Sequence, residues 1–167
     1  MPETKYRLIP LRLLGFLLGL FWLAPAVFSQ STGYLAVQHA FLQEQFTQVV
    51  SLAQNFILQN PTEPQIPRVW LWMVLSLDKL KEYNESLREL GRLKDRLSSR
   101  DPLWPEVLYW EGDIARRAFQ MNRAKVAYQK LLDRYPDSSW TLQALLGMGM
   151  IELHQQQIGR ASCRERV

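Results

Sequence analysis

His39 and His154 are the first candidates for acid–base or metal chemistry, but they stand 115 residues apart. Neither has a second His or a Cys at ligand spacing, so a zinc-type site has no local basis. Glu111 and Asp113 are the nearest approach to a paired acid and base, yet a separation of two residues on a helix turns them to different faces. Gly147-Met148-Gly149 has no preceding strand and no third glycine, so it reads as a close helix crossing rather than a phosphate loop. Ser98-Ser99 and Ser138-Ser139 sit in polar breaks before Asp101 and Trp140, where they are expected as turn and cap residues and not as nucleophiles. The sequence therefore offers no catalytic constellation, and no cofactor or metal is expected.

What remains is binding through charge and aromatic surface. The 167 residues carry 20 basic and 16 acidic side chains, a net charge of +4. That excess lies at the two ends. Residues 30–157 hold 14 basic and 14 acidic residues, which removes the electrostatic basis for nucleic-acid binding and leaves a protein or peptide as the expected partner. Five tryptophans lie outside the N-terminal segment. Trp70 and Trp110 are expected in the core, Trp72 and Trp104 stand near a helix start and a Pro-rich loop where packing and contact roles are both open, and Trp140 follows a turn.

Neither end reads as part of the fold. Lys5, Arg7 and Arg12 precede an uncharged run from Leu13 to Leu23, and small residues follow at Ala24, Ala26 and Ser29. These are the three parts of a secretory signal peptide over residues 1–29, cleaved after Ala26 or Ser29. A membrane anchor needs about 20 apolar residues, more than this run supplies, so membrane contact is expected only if the segment stays uncleaved. At the other end, Ile158 to Val167 breaks the preceding pattern and resembles the translation of a widely used sequencing adapter. On that reading residues 158–167 are a non-native tail containing the single Cys163, and the repeat region is cut short at Gln157. The exported part then has no cysteine, which suits an oxidising compartment.

Between the ends, apolar residues recur at helical spacing, as in Leu87, Leu90, Leu93 and Leu97 or Ala124, Ala127, Tyr128 and Leu131. Breaks at residues 60–67, 98–105 and 135–139 divide the chain into intervals. Each interval holds two helical runs with a polar turn, expected at Gln43–Gln45, Lys81–Asn84 and Gln120–Arg123. The expected fold is all-α: about three and a half antiparallel helix pairs over residues 30–157, forming an α-solenoid. The small or branched residues that open each second helix, Val49, Ser86 and Ala124, stand 37 and 38 residues apart.

The third unit carries the clearest signature. Relative to Ala124, Gly112 lies twelve residues before, and Tyr128, Leu131 and Pro136 lie four, seven and twelve after. This resembles the tetratricopeptide pattern of Gly, Ala, aromatic and Pro, whose units run to about 34 residues. Residues 127–139 and 143–149 are similar to the longer repeats of periplasmic envelope proteins, such as the coordinator associated with the Tol-Pal system. The resemblance implies a right-handed superhelix whose concave face, formed by the first helices, holds a peptide. The groove positions it implies are Arg68, Leu71, Leu75, Asp78 and Lys79 in the second unit, and Glu106, Tyr109, Asp113, Arg116 and Arg117 in the third. Lys79, Arg116 and Arg117 would hold carboxylates of the partner and Tyr109 would give a flat apolar contact; the alternative is a solvated charged face. The expected role is a non-enzymatic interaction scaffold of the cell envelope, in the periplasm of a Gram-negative-type bacterium, with secretion or N-terminal membrane anchoring as the alternatives. The alternative is the repeat region of a larger exported enzyme or assembly factor. The oligomeric state is left open.

Overall fold

The computed structural model describes residues 32–164, with side-chain surroundings as far as residue 156. The expected signal segment lies outside the described residues. Every element among the described residues is an α-helix: α1 (Thr32–Leu42), α2 (Phe46–Gln59), α3 (Ile66–Lys79), α4 (Tyr83–Arg96), α5 (Trp104–Arg117), α6 (Met121–Arg134) and α7 (Thr141–Arg164). They form the pairs α1/α2, α3/α4 and α5/α6, and α7 follows as a further first helix. The first helices lie in one row: Trp72 of α3 packs on Tyr34 and Phe41 of α1, and Arg68 of α3 reaches Glu106 of α5. The second helices cover the other side of that row.

The helical periodicity translates directly into the core. Leu87, Leu90 and Leu93 of α4 and Ala124, Tyr128 and Leu131 of α6 are all buried. Burying each large apolar side chain stabilises by roughly 1.5–3 kcal/mol. Val49, Ser86 and Ala124, which set the repeat period, are equally inaccessible. Ser86 retains its place in the core because its hydroxyl donates to the Val74 carbonyl at 2.8 Å, so no polar group is left unsatisfied. Pro67 and Pro105 open α3 and α5, where a missing N–H costs nothing.

The first turn inside a pair occupies Gln43–Gln45, as the polar run suggests, while the other two are shorter and lie earlier. The second occupies Leu80–Glu82 and the third Ala118–Gln120, with Asn84 and Arg123 already inside helices. A backbone device fixes them. Glu44, Lys81 and Phe119 have φ of 56°, 65° and 59°, and each is followed by an N–H that bonds back five residues, to Ala40, Leu77 and Ala115. With the N–H of Glu44, Lys81 and Phe119 bonding three residues back, these are three Schellman ends in one register. Glycine normally takes this left-handed position; a bulky L-residue there costs about 1–2 kcal/mol. Phe119→Gly is therefore expected to stabilise the fold by about 1 kcal/mol, raising the melting temperature by roughly 2–4 °C in a thermal scan. The Phe119 side chain is 76% exposed, so its removal leaves no cavity.

The helix α7 runs from Thr141 to Arg164 and so includes part of the expected tail. No proline interrupts residues 141–164, and the run of Gln, Arg and Ala residues is compatible with helix.

Candidate functional site

The row of first helices brings most of the implied groove residues together, but turns several of them on one another. Arg68 donates to Glu106 at 2.9 Å, joining α3 to α5 near their starts. Near their ends, Arg117 donates to Asp78 at 2.5 Å and also to Asp113, which takes Arg116 at 2.7 Å as well. Two arginines and two aspartates thus form a network of zero net charge. The arginines expected to hold a partner's carboxylates hold the chain's own.

Two of the implied positions are not on a surface at all. Leu71 is fully buried, and Asp78 is 2% exposed. The cause is the flanking of α3 on both sides, by α1 through Trp72 and by α5 through the two ion-pair sites, which seals the positions between. Leu75 and Tyr109 are half-buried, and Lys79 is exposed. Burial pushes the Asp78 carboxyl above its ordinary value, with Arg117 opposing the shift. Burial also raises the Tyr128 hydroxyl to about 12, with the Asp113 carboxylate adding to the shift and Arg116 opposing it.

Aromatic side chains make up the rest of the row. Tyr109 stacks on Trp140 at 4.9 Å and meets Trp110 edge-on at 5.0 Å. Trp110, expected in the core, is half-buried in this group. Trp70 is buried as expected, its Nε1 donating to Glu89 at 3.1 Å and the Arg96 guanidinium lying 5.2 Å above its ring. Trp104 donates to the Ser98 carbonyl at 2.7 Å and closes the loop before α5.

Features outside the implied groove emerge only in three dimensions. Glu111, buried on the opposite face of α5 from Asp113, takes Lys94 of α4 at 2.6 Å and Arg123 of α6 at 3.2 Å. Open clefts of about 790 Å³ and 410 Å³ lie at the turn ends of the pairs, and Tyr83, Arg117 and Phe119 line both. Phe119 is the exposed apolar element between them. Its position at a left-handed turn gave no periodic signal.

The spacing and packing of the third pair agree with a comparison against known families. Residues 106–138 match the tetratricopeptide repeat family. The matched repeat covers nearly all of α5 and the whole of α6, including Gly112, Ala124 and Tyr128. No curated protein matches the chain. Tetratricopeptide repeats are protein-interaction modules and are typically non-enzymatic, which agrees with an interaction role for the pair and its neighbours.

Proposed function

We propose that the chain is an exported interaction scaffold of the cell envelope that binds a polypeptide along the row formed by α1, α3, α5 and α7. The tetratricopeptide repeat match over residues 106–138 carries the interaction part of this reading, and export rests on the charged, apolar and small residues of 1–29. It is supported by the aromatic group Tyr109, Trp110 and Trp140 and by the exposed Phe119 between two clefts, since aromatic side chains give large contact area at low entropic cost. The groups available to a partner are Leu75, Lys79, Tyr109 and Phe119, while Arg117 ties α5 to α3 through Asp78 and Arg116 is paired with Asp113 within α5.

Photoactivatable residues at Leu75, Lys79 and Phe119 are expected to crosslink one polypeptide in envelope extract, whereas the same probe at Arg88 or Val126, exposed on second helices, is expected to give none. Equal adducts from both sets would overturn the binding face. Mass measurement of the crosslinked chain should show a start at Val27 or Gln30, and a full-length chain confined to the cytoplasm would overturn export.

A further inference from the structure

Cavities between neighbouring units recur at the same places in the repeat. Ile57 of α2, Trp70 of α3 and Glu89, Arg92 and Arg96 of α4 line one between the first and second units. The register of Val49, Ser86 and Ala124 carries Ile57 to Lys94, and Arg92 and Arg96 to Lys130 and Arg134; that of Val74 and Gly112 carries Trp70 to Leu108. These counterparts line a second cavity, between the second and third units, together with Trp104 and Tyr135. The two differ in how their cations are held. In the first, Glu89 takes Arg92 at 2.5 Å and the Arg96 guanidinium lies over the Trp70 ring. In the second, Ala127 stands in the place of Glu89 and Leu108 in that of Trp70, so neither kind of partner is left. The side chains of Lys130 and Arg134 make no hydrogen bond or ion pair among the described residues. Lys94 adds a third cation where the first cavity has an isoleucine, and no acidic residue lines the second. The nearby Glu111 is buried and already takes both Lys94 and Arg123, one negative charge against two positive.

We propose that this second cavity binds the phosphate of a phosphomonoester. Its volume of about 120 Å³ is that of roughly four water molecules, which suits one compact anionic group and excludes a peptide segment. The Arg134 guanidinium supplies a planar fork for two phosphate oxygens, and the ammonium groups of Lys130 and Lys94 supply point charges. Lys130 and Arg134 stand four residues apart on one helix, where like charges repel, and an anion between them removes that repulsion. A phosphomonoester carries close to two negative charges at pH 7, so it answers three cations better than a carboxylate does. The Trp104 indole, held in place by its bond to the Ser98 carbonyl, and the Tyr135 ring give flat apolar surface to the group that bears the phosphate. This inference does not rest on the partner or compartment proposed above.

Isothermal titration of the full chain with phenyl phosphate tests it. One saturable site is expected, and phenyl sulfate, of the same shape with one charge fewer, should bind about tenfold more weakly. Lys130→Gln and Arg134→Gln should each weaken phenyl phosphate by about tenfold and together by about a hundredfold, as the loss of one and of two charge-assisted hydrogen bonds requires. Both side chains are exposed, so the variants keep the fold, which helical circular dichroism checks. Arg92→Gln, at the matching place of the second unit, should change the affinity by less than about twofold. Vesicles containing phosphatidic acid identify the source of the phosphate. Sedimentation with them that is lost in the double variant assigns the site to a lipid headgroup, whereas binding of the soluble ester alone assigns it to a free phosphate compound. No saturable binding, equal binding of phenyl sulfate, or an affinity unmoved by the Lys130 and Arg134 variants would overturn the proposal and leave these cations to the carbonyl ends of α4 and α6.

Discussion

Gly112→Ala is expected to lower the melting temperature, and the same substitution at Gly91 to raise it. Both glycines are helical, so each alanine gains up to about 1 kcal/mol of helix propensity. At Gly91 a new Cβ meets nothing within 4 Å, and the gain is kept. At Gly112 it would lie 2.4 Å from Cε1 of Tyr128, a fully buried ring that is also held against Gly147, where a Cβ would lie 2.5 Å away. The ring cannot move aside without meeting the other helix. Overpacking of this kind costs about 1–3 kcal/mol, enough to outweigh the propensity gain. The second unit solves the same crossing differently, with Val74 in place of the glycine and Leu90 in place of the tyrosine, both fully buried. Gly112→Val combined with Tyr128→Leu should therefore be less destabilised than the sum of its parts. Equal melting temperatures for Gly91→Ala and Gly112→Ala, or additive losses in the double variant, would contradict the packing described.

Arg117→Met is expected to cost about 3 kcal/mol in chemical denaturation at neutral pH, far more than Asp78→Asn. Removing the arginine strands the Asp78 carboxylate, which is 2% exposed, whose Oδ2 accepts from Arg117 and whose Oδ1 has no hydrogen-bond partner among the described residues. Removing the charge from Asp78 instead leaves Arg117 with Asp113 and with partial access to water, its side chain 28% exposed. The pH dependence follows from the raised carboxyl of Asp78. An acid with a higher pKa folded than unfolded takes up a proton on folding between the two values, so stability falls as pH rises through that window and recovers as pH drops toward about 4. Loss of Arg117 raises the folded value further and widens the window upward. The deficit of Arg117→Met should therefore shrink on acidification. A deficit that grows on acidification, or an Asp78→Asn loss equal to that of Arg117→Met, would contradict it. Charge reversal at Arg116 and Arg117 would accordingly disturb the fold as well as any partner.

The helix pairs were legible because a period of 3.6 residues is written locally, as the leucines of α4 show. The buried triplet Val49, Ser86 and Ala124 was legible for a related reason: close crossings restrict side-chain size at a fixed place in each unit. Turn positions were less so, because polarity marks water exposure while the chain reverses where a residue adopts positive φ, and Lys81 and Phe119 give no compositional sign of doing so. The groove was legible as a neighbourhood but not as a chemistry. Arg68 and Glu106, or Asp78 and Arg117, are 38 and 39 residues apart, one repeat in each case, and a repeat brings such residues into contact as readily as it presents them to a partner. Glu111 was hidden for the same reason, its cations lying 17 and 12 residues away on two other helices.

The boundaries between units differ in chemistry, and that difference sets how firmly each is held in register. Between the second and third units run Arg68–Glu106, Asp78–Arg117 and Lys94–Glu111. Where α1 meets α3, the described contacts are the aromatic ones of Tyr34 and Phe41 with Trp72. In a linear array, cooperativity is carried by the interface between neighbours. The second and third units are therefore joined by charged pairs at both ends of the row, whereas α2 joins α3 through more extensive helix packing. The charged pairs enclose the whole span from Arg68 to Arg117, so a partner lying along that surface meets two units fixed against each other at both ends of the row.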